Sequence, residues 1–492
     1  MHSTSQSRRT AALRINHPDE PGPQKRRSRL IGVVLIVGTI AIAVSLVATG
    51  SVPLGSKTVT ATPASHSDVT VDFGAQTATD DPEAIGVDES TYGSPSDIND
   101  PAAQKLLKKL GVGYARLALT LANPADPTSR ITCAAGGCDT SINPVAWVQM
   151  MDAAGEAPIV QIPDSLSAAD AAAIVRQFDV SADARKPVAD WVIGNEPDAA
   201  HESASTYDAN FNTLYDAMKK ADPSIAIGGP ATLGFDQPFL QQFLQQCGSR
   251  ADFVDFHFYP GHETAAQLLA ELPAMTKDLT TLKAMIAAAE PSRAASIAIH
   301  VGEWNFSADP GTLGQYAYTG FASVLDADLL GRMLTAGVDG LAWGTKNGPM
   351  SLLYGAIYDS SGPAGPAAYA LDTPMPLYQA ISMFTGQGLF PRFGTKIASA
   401  VSRLPGIDAF ASADPNEIVL VNTTAKARRV TVRVQSDNPQ SAEVWQLDQT
   451  GVLPKPPVKK GTATSEAGNF KISLPADSVT TMVMTTLIDQ QK

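Results

Sequence analysis

Eight short apolar runs, each followed by a segment with helical periodicity, fill about 300 residues of this chain. Uninterrupted strand–helix alternation predicts a parallel sheet with helical crossovers, and eight such units close into a (β/α)8 TIM barrel. After Phe390 the helical periodicity stops and short β-rich runs take over. That change predicts a C-terminal β-sandwich of about 100 residues. A charge-free apolar stretch near the N-terminus predicts a transmembrane helix. The expected chain is therefore a basic tail (1–29), a membrane helix (30–49), a linker (50–68), a barrel (69–385) and a β-sandwich domain (386–492).

The membrane segment runs from Leu30 to Thr49, twenty residues without a charge, directly after Lys25, Arg26, Arg27 and Arg29. By the positive-inside rule the N-terminus stays in the cytoplasm and the bulk of the chain is extracytoplasmic at the cell membrane. A cleaved signal peptide is the competing reading, but the apolar region is long for one and no clear small-residue cleavage site follows it. Residues 50–68 are small, polar and punctuated by proline, as a linker is.

Val69 to Phe73 is a strand that precedes the barrel units and lacks a sheet there unless it joins the β-domain. Glu83 to Asp88 is the first barrel strand. Asp100-Pro101 then supplies an N-cap and first helical position, and Gly111 stops that helix. The next strands are Gly113 to Leu119, Ala157 to Ile162, Asp190 to Asn195, Ser224 to Gly228, Phe253 to Tyr259, Ile297 to Gly302 and Asp339 to Gly344. Between them lie helical segments opening near Asn143, Ser167, Ser205, Asp236, Thr264 and Leu313, with a last helix from Pro376 to Phe384. Beyond it, seven runs read as strands: Ile397 to Leu404, Ile407 to Ala411, Glu417 to Val421, Val430 to Val434, Ala442 to Leu447, Phe470 to Leu474 and Val479 to Thr485.

The composition is globular, 44% apolar and 17% charged. Residues 1–29 hold seven Lys/Arg against two acids, or +5, which leaves −18 of the chain's −13 for the remainder. An acidic main body argues against nucleic acid as a partner. The chain has three cysteines. Cys133 and Cys138 bracket Ala-Ala-Gly-Gly, a spacing that outside the membrane suits a small disulfide-closed loop. Zinc fits less well, because no second Cys/His pair has ligand spacing. Cys247 sits in a helical pattern and reads as a buried thiol.

The chemistry gathers at the strand ends. Trp191-Val192-Ile193-Gly194-Asn195-Glu196-Pro197 is an apolar strand that stops at a glutamate, and Ile299-His300-Val301-Gly302-Glu303-Trp304 repeats the form. In a closed parallel barrel the strand C-termini converge on one face. They carry Asp88 and Glu89, Arg116, Gln161 and Asp164, Asn195, His257 and Tyr259, and Trp343. Glycoside hydrolysis needs one carboxyl group to protonate the leaving oxygen and one carboxylate to meet the developing oxocarbenium ion. Glu196 and Glu303 supply that pair. Trp191, Ile193 and a neighbouring carboxylate are expected to keep Glu196 protonated, and Arg116 and Tyr259 to keep Glu303 ionised. Asn195 offers an amide to a sugar hydroxyl, and Trp304 and Trp343 offer flat ring faces. Lys346 and Asn347 follow the last barrel strand and are further candidates for a sugar contact; Asp198 and His201 read as loop residues. Nothing calls for a metal or a cofactor.

With these motifs in order, the chain resembles clan A glycoside hydrolases, most nearly family 39 and its relatives in families 30, 51 and 79. The resemblance rests on Asn195-Glu196-Pro197 ending strand 4 of the barrel and Glu303 ending strand 7. Arg116 on strand 2, His257-x-Tyr259 on strand 6 and Trp343 on strand 8 complete it. It spans roughly residues 70 to 490. It implies a retaining mechanism with Glu196 as acid/base and Glu303 as nucleophile. The expected function is a membrane-anchored, extracytoplasmic hydrolase of β-glycosidic bonds in an envelope or exported polysaccharide. A non-catalytic carbohydrate-binding envelope protein on the same barrel is the alternative.

Overall fold

The computed structural model describes residues 67–80, 84–88, 100–119, 144–180, 188–261, 264–307, 316–344, 350–354, 369–436, 439–447 and 455–485. The expected membrane helix, the linker 50–66, Cys133, Cys138, Glu89, Lys346 and Asn347 lie outside these residues. Among the described residues no helix is long and apolar enough to cross a membrane.

The chain opens with β1 (Val69–Thr79), and the barrel follows: β2 (Ile85–Asp88), β3 (Tyr114–Ala118), β4 (Ala157–Ile162), β5 (Asp190–Ile193), β6 (Ala226–Thr232), β7 (Phe253–Phe258), β8 (Ala298–Trp304) and β9 (Asp339–Trp343). All neighbours are parallel, and β9 pairs with β2 to close the ring. The intervening helices are α1 (Pro101–Leu110), α2 (Pro144–Ala154), α3 (Ala168–Val180), α4 (Ala204–Ala221), α5 (Gln237–Cys247), α6 (Ala265–Ala289) and α7 (Gly320–Ala336), and α8 (Pro376–Thr385) follows β9. The capping chemistry read from the sequence is present at α1. Asp100 accepts from Ala102 N at 2.8 Å, Pro101 is the first helical residue, and Gly111 takes a left-handed φ of 77° at the C-terminus.

Strand parity sorts the side chains into two layers. Ile159, Val192, Ala231, Phe253 and Leu341 point inward and fill the barrel. Their neighbours Trp191, Ile193, Val254, Phe256, Val301 and Trp304 point outward into the helical layer. Burying each large apolar side chain in this way contributes about 1.5–3 kcal/mol.

The strand at Val69 does not belong to the barrel, whose own strands begin at Ile85. β1 pairs antiparallel with β10 (Lys396–Ser402) and parallel with β13 (Arg428–Val434). The other strands of this module are β11 (Ile407–Ala413), β12 (Glu417–Asn422), β14 (Ser441–Leu447), β15 (Val458–Thr464), β16 (Asn469–Leu474) and β17 (Ser478–Thr485). The order β15-β14-β17-β12-β11-β10-β1-β13-β16 is continuous, so the module is one nine-stranded sheet rather than two separate sheets. Val444 and Met482 from one end share a core with Val432 and Phe470 from the other, so the sheet curls onto itself as a sandwich does. β15 was invisible in the sequence pattern because VKKGTAT is a polar, exposed edge strand with no apolar alternation.

The β-domain packs on α7 and α8. Every residue of α8 is buried, and Thr481 donates to the carbonyl of Met383 at 2.7 Å. Arg332 of α7 reaches Asp408 of β11 at 3.2 Å. Gly331 of α7 lies against the Phe410 ring, where a Cβ would come within 2.3 Å of a ring carbon. Gly331→Val should therefore destabilise the protein by about 1–3 kcal/mol. In chemical denaturation, Phe410→Ala in the same chain should cancel part of that loss. Additive effects of the two substitutions would contradict this packing.

Candidate active site

Glu196 and Glu303 each stand on irregular backbone. β5 ends at Ile193; Gly194 has φ 87° and Glu196 has φ 48°, both in the left-handed region. For a glutamate that conformation costs about 1–3 kcal/mol and persists only when its surroundings fix it. They do: Glu196 N donates to Ala231 O at 2.7 Å, and the buried Tyr207 hydroxyl donates to Ile193 O at 2.6 Å. Gln161 Nε2 donates to Gly194 O at 2.8 Å and to Asn195 Oδ1 at 2.9 Å. Asn195 is exposed, and with its oxygen held by Gln161 its amide nitrogen is left as a donor.

Glu303 is not past the end of its strand, as the sequence indicates, because β8 continues to Trp304. The pairing slips by one residue at Gly302. Phe256 is opposite Val301, but His257 is opposite Glu303, and the register against β9 also shifts between Val301 and Trp304. Such a bulge re-aims the following side chain. Glu303 consequently faces the same interior as His257 and Arg116.

Arg116 is the hub, only 1% exposed. Its Nε and Nη2 donate to the two carboxylate oxygens of Asp88 at 3.3 and 3.2 Å. Nη2 also donates to Glu303 Oε1. Nη1 meets His257 Nε2 at 3.3 Å. A guanidinium only donates, so in the neutral ring this contact puts the lone pair on Nε2 and the hydrogen on Nδ1. Nδ1 lies 2.9 Å from Glu196 Oε1 and 3.5 Å from Glu303 Oε2. Tyr259 donates its hydroxyl to Glu303 Oε2 at 2.7 Å. One ligand atom each from Glu196, His257 and Glu303 thus lie within 4.8 Å of one another. As a cation site the trio is opposed by Arg116, which holds the hydrogen on the very nitrogen a metal would need.

The electrostatics separate the carboxyl groups. Burial pushes Glu303 upward, but the His257 and Arg116 charges and the bonds from Tyr259 and Arg116 outweigh it and hold the group below its ordinary range. Asp88 shares the same guanidinium, yet burial dominates there and raises it to about 6. For His257, burial favours the neutral ring, while Glu303 and Glu196 more than offset that and raise its pKa. Burial and the Glu303 charge keep the Tyr259 hydroxyl protonated, so it remains a donor. Arg116 stays charged, because Asp88 and Glu303 outweigh its burial.

The structure brings together five predicted residues: Glu196, Glu303, Arg116, His257 and Tyr259. Asn195 sits at their edge. Trp304 does not join them. Its ring is 0% exposed in the helical layer, and its Nε1 has no hydrogen-bond partner among the described residues. Adjacent strand residues face opposite ways, so with Glu303 inward Trp304 must point outward. Trp343 ends β9 opposite Asp88, and its ring lies outside the described residues. Trp191 does not shield Glu196; it points outward, edge-on to Phe178 at 5.8 Å. Asp198 acts within its loop, accepting from Leu233 N at 3.0 Å, and Cys247 is a buried free thiol. Asp88 and Gln161, read from the sequence only as polar strand tips, brace the site directly, and Tyr207 and Asp255 join them without any signal in the motifs named above. The signal for Asp255 is its place two residues before His257, on the same strand face.

The fold and site define an eight-stranded α/β barrel with paired glutamates at its strand ends and a β-domain on its helices. Solved structures share that fold. The α-L-arabinofuranosidase of Thermotoga maritima superposes with a TM-score of 0.66 at 16% identity, over 85% of this chain and 99% of that one. A family 51 α-L-arabinofuranosidase from Thermotoga petrophila gives 0.68 at 16% identity, over 85% and 100%. A family 44 xyloglucanase from Paenibacillus polymyxa gives 0.63 at 14% identity, over 85% and 99%. Family 51 was among the resemblances read from the motifs; these structures do not speak to family 39. At such identities the likeness shows the fold alone. No protein-family model and no curated protein matches the sequence.

Carbon NMR of carboxyl-labelled glutamate should place Glu303 below the ordinary 4.5. A bond to the charged form lowers a pKa, so Tyr259→Phe should raise it. An unshifted Glu303 in the variant would contradict the assignment.

Proposed function

We propose that this protein is a retaining glycoside hydrolase, with Glu303 as nucleophile and Glu196 as acid/base, acting on an exported or envelope polysaccharide. The observation that carries the reading is the close approach of the two carboxyl groups, whose ligand oxygens lie within 4.8 Å of each other. Retaining enzymes hold this pair about 5–5.5 Å apart, whereas inverting enzymes leave about 6.5–9.5 Å for a water.

In the first step a Glu303 oxygen attacks the anomeric carbon while Glu196 gives its proton to the glycosidic oxygen, and the aglycone leaves. A glycosyl ester on Glu303 results. In the second step Glu196 takes a proton from water, the resulting hydroxide attacks the same carbon, and the Glu303 carboxylate departs. Arg116 and Tyr259 hold Glu303 ionised and oriented for the attack. In the ester the Glu303 charge is gone, and Asp88 still pairs the buried guanidinium. With its oxygen held by Gln161, the exposed Asn195 amide supports a role as donor to a sugar hydroxyl.

The place of action rests on residues 30–49. Their charge-free run after a basic cluster supports a single-pass anchor with the barrel extracytoplasmic. The arabinofuranosidase and xyloglucanase neighbours make α-L-arabinofuranosides and xyloglucan the first substrates to try.

An activated 2-deoxy-2-fluoro glycoside should add one sugar mass to the protein, located on Glu303 by peptide mapping. Glu196→Ala should slow substrates with poor leaving groups by at least about 100-fold, spare those with good ones, and recover with azide. No labelling across a broad sugar panel would favour a carbohydrate-binding protein instead. Equal loss on all substrates without azide rescue would remove Glu196 from the acid/base role.

A further inference from the structure

One buried carboxyl group near the catalytic pair has no part in the reaction just described. Asp255 lies on β7, two residues before His257 and so on the same inward face, and it is 1% exposed. Its Oδ1 accepts the Gly302 N–H at 2.8 Å, and its Oδ2 has no hydrogen-bond partner among the described residues. The two residues fit flush. A Cβ on Gly302 would lie 2.3 and 2.4 Å from the carboxylate oxygens, so only glycine lets this carboxyl group reach the backbone.

Gly302 is also where β8 loses its register. A bulge leaves a backbone donor out of the ladder, and here Asp255 takes it. The consequence falls on the next residue. His300 stacks on the interior Phe253 at 4.1 Å, and the Gly302 Cβ position also points inward, at Asp255. Regular alternation from those two would send Glu303 to the helical layer and turn Trp304 into the barrel. The bulge prevents that flip.

We infer that Asp255 is the positioning residue for Glu303: by capping the Gly302 N–H it holds the bulge that aims the nucleophile at Arg116 and Tyr259. This rests on the nucleophile role proposed above, and it assigns no chemistry to Asp255 itself. Asparagine retains the acceptor, whereas alanine removes it. A displacement of about 1 Å at a reacting group costs about 100-fold.

The test compares the full-length wild type, Asp255→Ala and Asp255→Asn by the rate at which a 2-deoxy-2-fluoro glycoside labels Glu303. Asp255→Ala should label about 100-fold more slowly, with product affinity within about threefold, and Asp255→Asn should recover to within about tenfold of wild type. A merely structural residue would lower stability without separating rate from affinity. Should the alanine variant fail to fold, Asp255→Ser, too short to reach Gly302, takes its place with the same expected loss. Wild-type labelling of Asp255→Ala, or an asparagine variant as slow as the alanine one, overturns the inference. If the wild type itself is not labelled, the proposed reaction has failed, and amide exchange at Gly302 then decides the cap on its own. Faster exchange in the alanine variant than in the asparagine variant supports it, and equal exchange overturns it.

Discussion

A single guanidinium organises the interior of this barrel. Arg116 is almost completely buried, and a charge in that position persists only when paired and hydrogen-bonded. Asp88 meets it with two oxygens from the first barrel strand, and Glu303 meets it from the seventh. Breaking such a pair by removing one partner costs about 3–5 kcal/mol, because the other charge is left unpaired. With two carboxylates sharing the cation, one can give up its charge while the other remains. In the proposed mechanism Glu303 meets that condition on becoming an ester, which gives Asp88 a purpose beside Arg116 without any direct part in the chemistry.

Both glutamates depend on backbone that departs from regular structure. Glu196 occupies a left-handed turn held by Tyr207, Gln161 and the Ala231 carbonyl, and Glu303 follows a bulge held by Asp255. Such violations of local preference are expected where geometry serves a site rather than the fold. In each case the supporting side chain comes from a neighbouring strand or a barrel helix, so the closed ring fixes the site. The β-domain meets the barrel through α7 and α8.

Much of this was legible in the sequence. The eight-fold alternation set the barrel, and caps such as Asp100 and Gly111 set helix limits to within a residue. The ordered glutamates, Arg116 and His257-x-Tyr259 marked the site. What was hidden depends on single-residue events. Period-two reasoning assigns faces only while register is kept, so the slip at Gly302 was not predictable. Placing Glu303 and Trp304 in one cavity contradicted strand parity from the start. Trp191 was misjudged for the same reason, since its ring alternates with Val192 and belongs to the helical layer. Asp255 carries no motif, because a carboxyl group under a backbone amide has none; its parity with His257 is the one signal that puts it on the inward face. The edge strand β15 was hidden because it carries no apolar pattern at all.

The central claim is that Glu196 and Glu303 divide a double displacement between them, and the stereochemistry of the product tests it most directly. Aryl α-L-arabinofuranosides and β-glycosides would be hydrolysed in deuterated buffer and the first-formed anomer read by proton NMR before mutarotation. Two inversions at one carbon predict that the product first appears with the anomeric configuration of the substrate. First appearance of the opposite anomer would contradict a covalent intermediate on Glu303 and, with it, the division of roles drawn from the geometry.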